Sequence, residues 1–180
     1  MGYRRLQPEE IGNEMTDFYE DSLIEQPAVA LFTALGWDTA NCYEETFGPG
    51  RMLGRETSSE VVLLSRLVPA LERLNPDLPD HALQLAIEEL LRERGLMSPA
   101  HANREVNQLL KEGVKVIYRD AEGVETAETV RVIDWENPRN NDFFLASQFW
   151  VSGDLYKRRP DLVGFVNGIP LLLVELKAAH

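Results

Sequence analysis

Of the 180 residues only one, Cys42, is a cysteine, so no internal disulfide can form and a reducing, cytoplasmic setting is expected. No apolar run approaches the roughly 18 residues that cross a bilayer. The charged N-terminal stretch, residues 1–14, has no apolar segment of the kind that forms a signal peptide. No phosphate loop of the form G-x-x-x-x-G-K-[ST] occurs, and Gly48-Pro49-Gly50 is loop punctuation. The histidines His81, His101 and His180 lie far apart, without zinc-ligand spacing. Basic side chains are scarce: 18 Lys and Arg stand against 30 Asp and Glu, a net charge of -12. That balance argues against a chain that grips nucleic acid through a general basic surface. What is present is enough apolar material, 44% of residues, for one ordinary domain with a core of its own.

The chain reads as helices first and strands afterwards. Residues 1–20 are polar and are expected to form an arm or a short first helix, with the domain proper over 21–180. Leu23, Ala28, Val29, Leu31, Phe32 and Leu35 recur at helical spacing, from Asp21-Ser22 up to a C-cap at Gly36. Residues 38–55 are expected to be a loop available to a partner. A second helix is predicted after Thr57-Ser58-Ser59 and on to Leu74, where Asn75-Pro76 breaks it. Asp80 opens a third helix, His81 to Arg94, with Leu83, Ala86, Ile87, Leu90 and Leu91 on one face. Ser98-Pro99 opens a fourth, closed by Gly113.

The period then changes to two. Strands are predicted from Val114 to about Arg119, from Thr129 to Trp135, from Asn140 to Val151, from Leu162 to Val166 and from Leu171 to Leu176. The fold class is α/β (mixed α+β), with helices flanking one central mixed sheet. Leu171-Leu172-Leu173-Val174 reads as a strand covered on both faces.

Glu175 and Lys177 follow that run at strand spacing, so acid and amine share a face, with Leu176 on the other. Asp161 opens the preceding strand, and Asn167-Gly168 joins the two. A two-residue loop would pair Val166 with Ile169 and turn Glu175 away from Asp161. A three-residue loop, or a bulge, would bring them together. Pro170 cannot donate a ladder hydrogen bond, which favours the longer loop or the bulge. Two converging carboxylates repel unless a cation lies between them. Oxygen donors from Asp161, Glu175 and the Leu176 carbonyl suit a hard divalent ion such as Mg²⁺. Lys177 is then placed to orient water or to stabilise charge developing on a phosphodiester.

Pro160-Asp161 followed by Glu175-Leu176-Lys177 resembles the PD-(D/E)xK nuclease superfamily. The surrounding residues narrow the resemblance: Asn141-Asp142-Phe143, Gln148-Phe149, Arg159-Pro160-Asp161, Phe165 through Leu171, and Val174 through Lys177. Together they are similar to the N-terminal nuclease domain of type I restriction enzyme R subunits, closely over 140–177 and more loosely over 20–137. The resemblance implies a restriction-endonuclease-like core that cleaves double-stranded DNA with Mg²⁺. It makes Asp161 and Glu175 metal ligands and Lys177 the catalytic lysine. The first core helix of that family offers a further carboxylate, for which Glu25 is the best match and Glu60 a weaker one. ATP-driven motor domains, absent here, and separate methyltransferase and specificity subunits are the partners it implies. The family's core continues past the lysine into a helix bearing a glutamine and a tyrosine, so a fragment of a larger polypeptide is expected.

Lys157-Arg158-Arg159 directly precedes the site and is a candidate contact for DNA phosphates. Trp37, Trp135 and Trp150 are expected to pack in the core or at strand edges, and Cys42 to be no nucleophile. The other readings are a repair or anti-phage nuclease of the same superfamily, and a non-catalytic docking module.

Overall fold

The structure, a computed structural model, describes residues 24–48, 50–120, 122–153 and 156–177. The expected N-terminal arm, the start of the first helix, Pro49 and His180 lie outside the described residues. Within them the order is α1 (Gln26–Ala34), β1 (Asp38–Asn41), α2 (Leu64–Leu74), α3 (Asp80–Leu91), α4 (Pro99–Glu112), β2 (Val114–Arg119) and β3 (Glu125–Val130). A 3₁₀ turn at Pro138–Asn140 follows, then β4 (Phe143–Ser147), β5 (Val151–Ser152), β6 (Lys157–Arg158), β7 (Leu162–Val166) and β8 (Ile169–Val174). This is the expected mixed α/β class.

The strands do not make one sheet, however. Four form a mixed sheet in the order β1-β4-β7-β8, with β1 parallel to β4 and the other pairs antiparallel. β2-β3 and β5-β6 are separate two-stranded ribbons. Boundaries also move: α3 stops at Leu91, short of Arg94, and the stretch expected as one strand from Asn140 to Val151 holds β4 and the start of β5 as separate strands. β3 ends at Val130 rather than running through Thr129–Trp135, because Val130 is already paired with Val114 at the base of the β2-β3 hairpin. α2 starts at Leu64, later than the serines suggested, since Ser58 and its hydroxyl bond Ser152 instead (Ser152 N–H to Ser58 O, 2.9 Å; Oγ to Oγ, 2.6 Å). The segment read as a loop at 38–55 contains β1, a polar strand whose residues are mostly exposed, so it carries no alternation to detect.

Two cores result. Leu67 and Leu71 of α2, Ala86 and Ile87 of α3, and Val114, Val116 and Val130 of the ribbon close one of them. Gly113 caps α4 at φ +84, and a Cβ there would lie 2.7 Å from the Val130 carbonyl oxygen. Only glycine both takes that left-handed turn and lets β3 approach so closely. The second core lies on one face of the main sheet: Phe144, Ala146, Val163 and Phe165 meet Cys42, Leu53, Leu63 and Phe149. Arg55, 2% exposed, clamps the 42–60 segment over this face. It pairs with Glu45, donates to the carbonyls of Glu60 (2.9 Å) and Trp150 (3.0 Å), and stacks 3.9 Å from the Phe149 ring. A buried guanidinium is tolerated only with this degree of satisfaction.

Helix α1 packs at the other side, where Trp37 contacts Phe32 and Phe143 edge-on and tilted at 5.1 and 5.2 Å. None of its residues from Gln26 to Ala34 is fully buried, and Leu31 and Leu35 stay exposed. β8 is an edge strand, not a central one. Leu171, Leu172 and Leu173 are 43%, 37% and 64% exposed, which corrects the expectation of a strand covered on both faces.

Candidate active site

The β7-β8 hairpin sets the site. Its turn is the tight two-residue Asn167-Gly168, with Val166 opposite Ile169 and Phe165 opposite Pro170. The three-residue loop is therefore not used, and the bulge is. Leu171 is an extra residue on β8, so beyond it Gly164 faces Leu172 and Leu162 faces Val174. The last pair is Leu162 with Val174, and continuing that register by one step would set Asp161 opposite Glu175.

The turn is held by its own side chain. Asn167, fully buried and at φ +50, donates through Nδ2 to Val132 O (2.8 Å) and Asn141 Oδ1 (2.9 Å). Its Oδ1 accepts the Asp142 N–H at 2.7 Å, and its own N–H reaches Asp142 O at 2.8 Å. Gly168 follows at φ +76, accepts the Leu63 N–H at 2.8 Å, and sits where a Cβ would meet Leu63 O at 2.4 Å. The hairpin is thereby tied to the start of α2.

At the opposite end of the hairpin, Asp161 Oδ2 accepts the Leu176 N–H at 2.6 Å. This bond holds the chain after β8 against the start of β7, and leaves the rest of the Asp161 carboxylate for other partners. Glu175 and Lys177 are exposed and Leu176 less so, which agrees with acid and amine sharing one face. The third strand contributes Gln148, directly after β4. Its N–H donates to Asp161 O at 2.8 Å, so Gln148 and Asp161 continue the β4–β7 pairing one step past Ser147 and Leu162. Its side-chain Nε2 donates to Glu25 Oε2 at 2.5 Å. Glu25, 4% exposed just before α1, is thus linked to the main chain of Asp161 through one residue. Glu60, the weaker candidate, is not brought to this place: its carboxylate accepts the Glu56 N–H at 2.8 Å, within the 56–60 turn.

Lys157 and Arg158 are exposed on β6. Arg159 lies 4.6 Å from the Tyr43 ring centroid and 5.1 Å from that of Trp150, whose Nε1–H donates to Tyr43 O at 3.3 Å. Two aromatic faces hold this guanidinium two residues before Asp161. None of the three is within ion-pair distance of a carboxylate among the described residues. Sequence reasoning missed Tyr43, because its contacts with Trp150 and Arg159 span more than a hundred positions, and missed the role of Gln148, because a positive φ of 55 on a glutamine leaves no mark in periodicity. Cys42 is wholly buried. Burial first, and then the nearby Glu45, push its thiol up to about 12 against the lowering effect of Arg55, so it is no nucleophile.

The donor set suits a hard cation. Asp161 and Glu175 offer only oxygen, and the Leu176 carbonyl lies between Glu175 and Lys177. Among the described residues no three His, Cys, Asp or Glu side chains cluster closely enough to enclose an ion. Mg²⁺ is commonly held by one or two carboxylates with water and substrate oxygens completing its shell, so this half-open arrangement fits it.

A model of the family described as type I restriction enzyme R protein N terminus matches residues 17–180. The chain is 33% identical over 155 residues to the type I restriction enzyme HindI endonuclease subunit of Haemophilus influenzae, covering 86% of this chain and 14% of that protein. It is 29% identical over 170 residues to the putative type I restriction enzyme MjaIXP endonuclease subunit of Methanocaldococcus jannaschii, covering 92% and 16%. It spans about a seventh of the length of these relatives. With the family matched over nearly all of its length and its hairpin, polar groups and basic approach laid out as above, this chain belongs to the N-terminal family of type I restriction enzyme R proteins.

Proposed function

We propose that this chain is the DNA-cleaving domain of a type I restriction enzyme R subunit, a Mg²⁺-dependent PD-(D/E)xK endonuclease acting on double-stranded DNA. The observation that carries the reading is the bulge at Leu171, which pairs Leu162 with Val174 and so supports Asp161 and Glu175, the next residue on each side, as neighbours. Asp161, Glu175 and the Leu176 carbonyl hold the ion, with Glu25 behind them. When bound, Mg²⁺ supplies Lewis-acid stabilisation of the charge that develops on the scissile phosphate. Lys177, on the same face as Glu175, donates N–H bonds that orient the attacking water and later the phosphate oxygens. Lys157, Arg158 and Arg159 take the flanking phosphates, with Arg159 set in place by Tyr43 and Trp150. Translocation by ATP hydrolysis, and recognition of the DNA site through methyltransferase and specificity subunits, belong to the remainder of the polypeptide and its partners.

The test is Asp161→Ala, Glu175→Ala and Lys177→Ala in the native polypeptide that carries this chain. DNA cleavage is expected to be abolished in each, while ATP hydrolysis continues. Cleavage surviving in all three overturns the proposal. Loss of cleavage without any Mn²⁺ binding by the unmodified protein favours a docking role instead.

A further inference from the structure

We infer that Gln148 is a positioning residue of this site, fixing the helix-borne carboxylate of Glu25 and the main chain of Asp161 in one geometry; the inference rests on the nuclease reading above. Gln148 is one of two non-glycine residues with positive φ among the described residues, at φ +55. The other, Asn167, owes its conformation to the hairpin turn it forms. Gln148 sits in no hairpin. Its left-handed backbone is the price of two bonds made at once: N–H to Asp161 O at 2.8 Å, and Nε2 to the buried Glu25 Oε2 at 2.5 Å. A residue kept in a sparsely populated conformation beside two acidic residues points to a geometric requirement there. The side-chain chemistry agrees. An amide donates to a carboxylate without adding charge, so Glu25 is oriented while its negative charge is kept. A carboxylate at 148 would repel it, and a cation would neutralise it.

Groups that orient metal ligands typically change metal affinity by about tenfold or more when removed. Two variants in the native polypeptide test this. Gln148→Gly suits the positive φ and keeps the backbone N–H, so it deletes only the side-chain bond. Gln148→Glu keeps the size and replaces donor by like charge. Mn²⁺ binding is followed by electron paramagnetic resonance, the Mg²⁺ concentration for half-maximal DNA cleavage by titration, and folding by the melting temperature. Gln148→Gly is expected to weaken Mn²⁺ binding about tenfold, with the loss in cleavage falling on the Mg²⁺ requirement more than on the maximal rate. Gln148→Glu is expected to weaken it further. In a Glu25→Gln background, adding Gln148→Gly is expected to cost less than about twofold more, because no carboxylate is left for the amide to orient. Mn²⁺ affinity and Mg²⁺ requirement within about twofold of the unmodified protein in both variants, whatever the melting temperature, overturn the inference. Absence of Mn²⁺ binding and cleavage in the unmodified protein overturns the nuclease reading, and this inference with it.

Discussion

Asn167→Ala should destabilise the fold severely, although residue 167 touches no expected ligand. The substitution removes three hydrogen bonds of a side chain that is itself wholly buried, one to a buried partner and two to half-buried ones. Asn141 Oδ1 keeps a second donor, the Asp134 N–H at 2.9 Å, so its loss is small. The Asp142 N–H and the Val132 carbonyl lose their side-chain partner. A buried polar group left unsatisfied costs about 1–3 kcal/mol, so the pair costs roughly 2–6 kcal/mol. Alanine also tolerates φ +50 less well than asparagine, adding about 1 kcal/mol. The sum, about 3–7 kcal/mol, is comparable with the whole stability of many domains, about 5–15 kcal/mol. Equilibrium urea unfolding, read by circular dichroism and tryptophan fluorescence, measures it. Asn167→Gly separates the terms, since it loses the same bonds while accepting the backbone angle, and should recover about 1 kcal/mol of the loss. A loss below about 1 kcal/mol for Asn167→Ala would refute the reasoning, because the buried Val132 carbonyl alone should cost about that much when orphaned.

Cys42, buried with its thiol pushed up to about 12, should resist alkylation by iodoacetamide at pH 8 in the native protein and react readily in urea. Equal rates in the two states would contradict the burial account. Asp134 is held below the usual carboxylate range, first by the Asn137 N–H and the Asn140 amide, then by Arg131 and the Glu136 N–H. Its folded pKa lies under its unfolded one, so its contribution is fully present above the ordinary aspartate range and is lost as pH falls through the folded value. Urea midpoints measured from pH 7 down to pH 3 should therefore drop less steeply in Asp134→Asn than in the unmodified protein, and parallel curves would count against this role.

Local signals located the elements whose ends are chemically marked. Ser98-Pro99 and Gly113 bracket α4 as expected, and Leu162–Val166 is β7 to the residue. Elements defined by partners were misplaced. β1 is polar and forms only because β4 offers it a parallel edge. β3 is placed by pairing with β2, and β8 lies at an edge that its leucines do not advertise. The acids and the lysine of the candidate site could be named from the sequence, and Pro170 with the parity of the strands pointed to a longer loop or a bulge, of which the bulge is present. Neither the Arg159–Tyr43 contact nor the Gln148 conformation could be read, since each depends on residues far apart in sequence meeting in space.

The bulge at Leu171 gives this hairpin an arithmetic that heredity must respect. A strand repeats its facing every two residues. Deleting the single extra residue, Leu171, would therefore abolish the bulge, leave a regular two-residue hairpin and keep Glu175 in register with Asp161. Deleting a second residue with no bulge to absorb it would send Glu175 to the other face. Length variants of this hairpin that keep the two acids together should thus either carry the bulge or lack it together with its one residue.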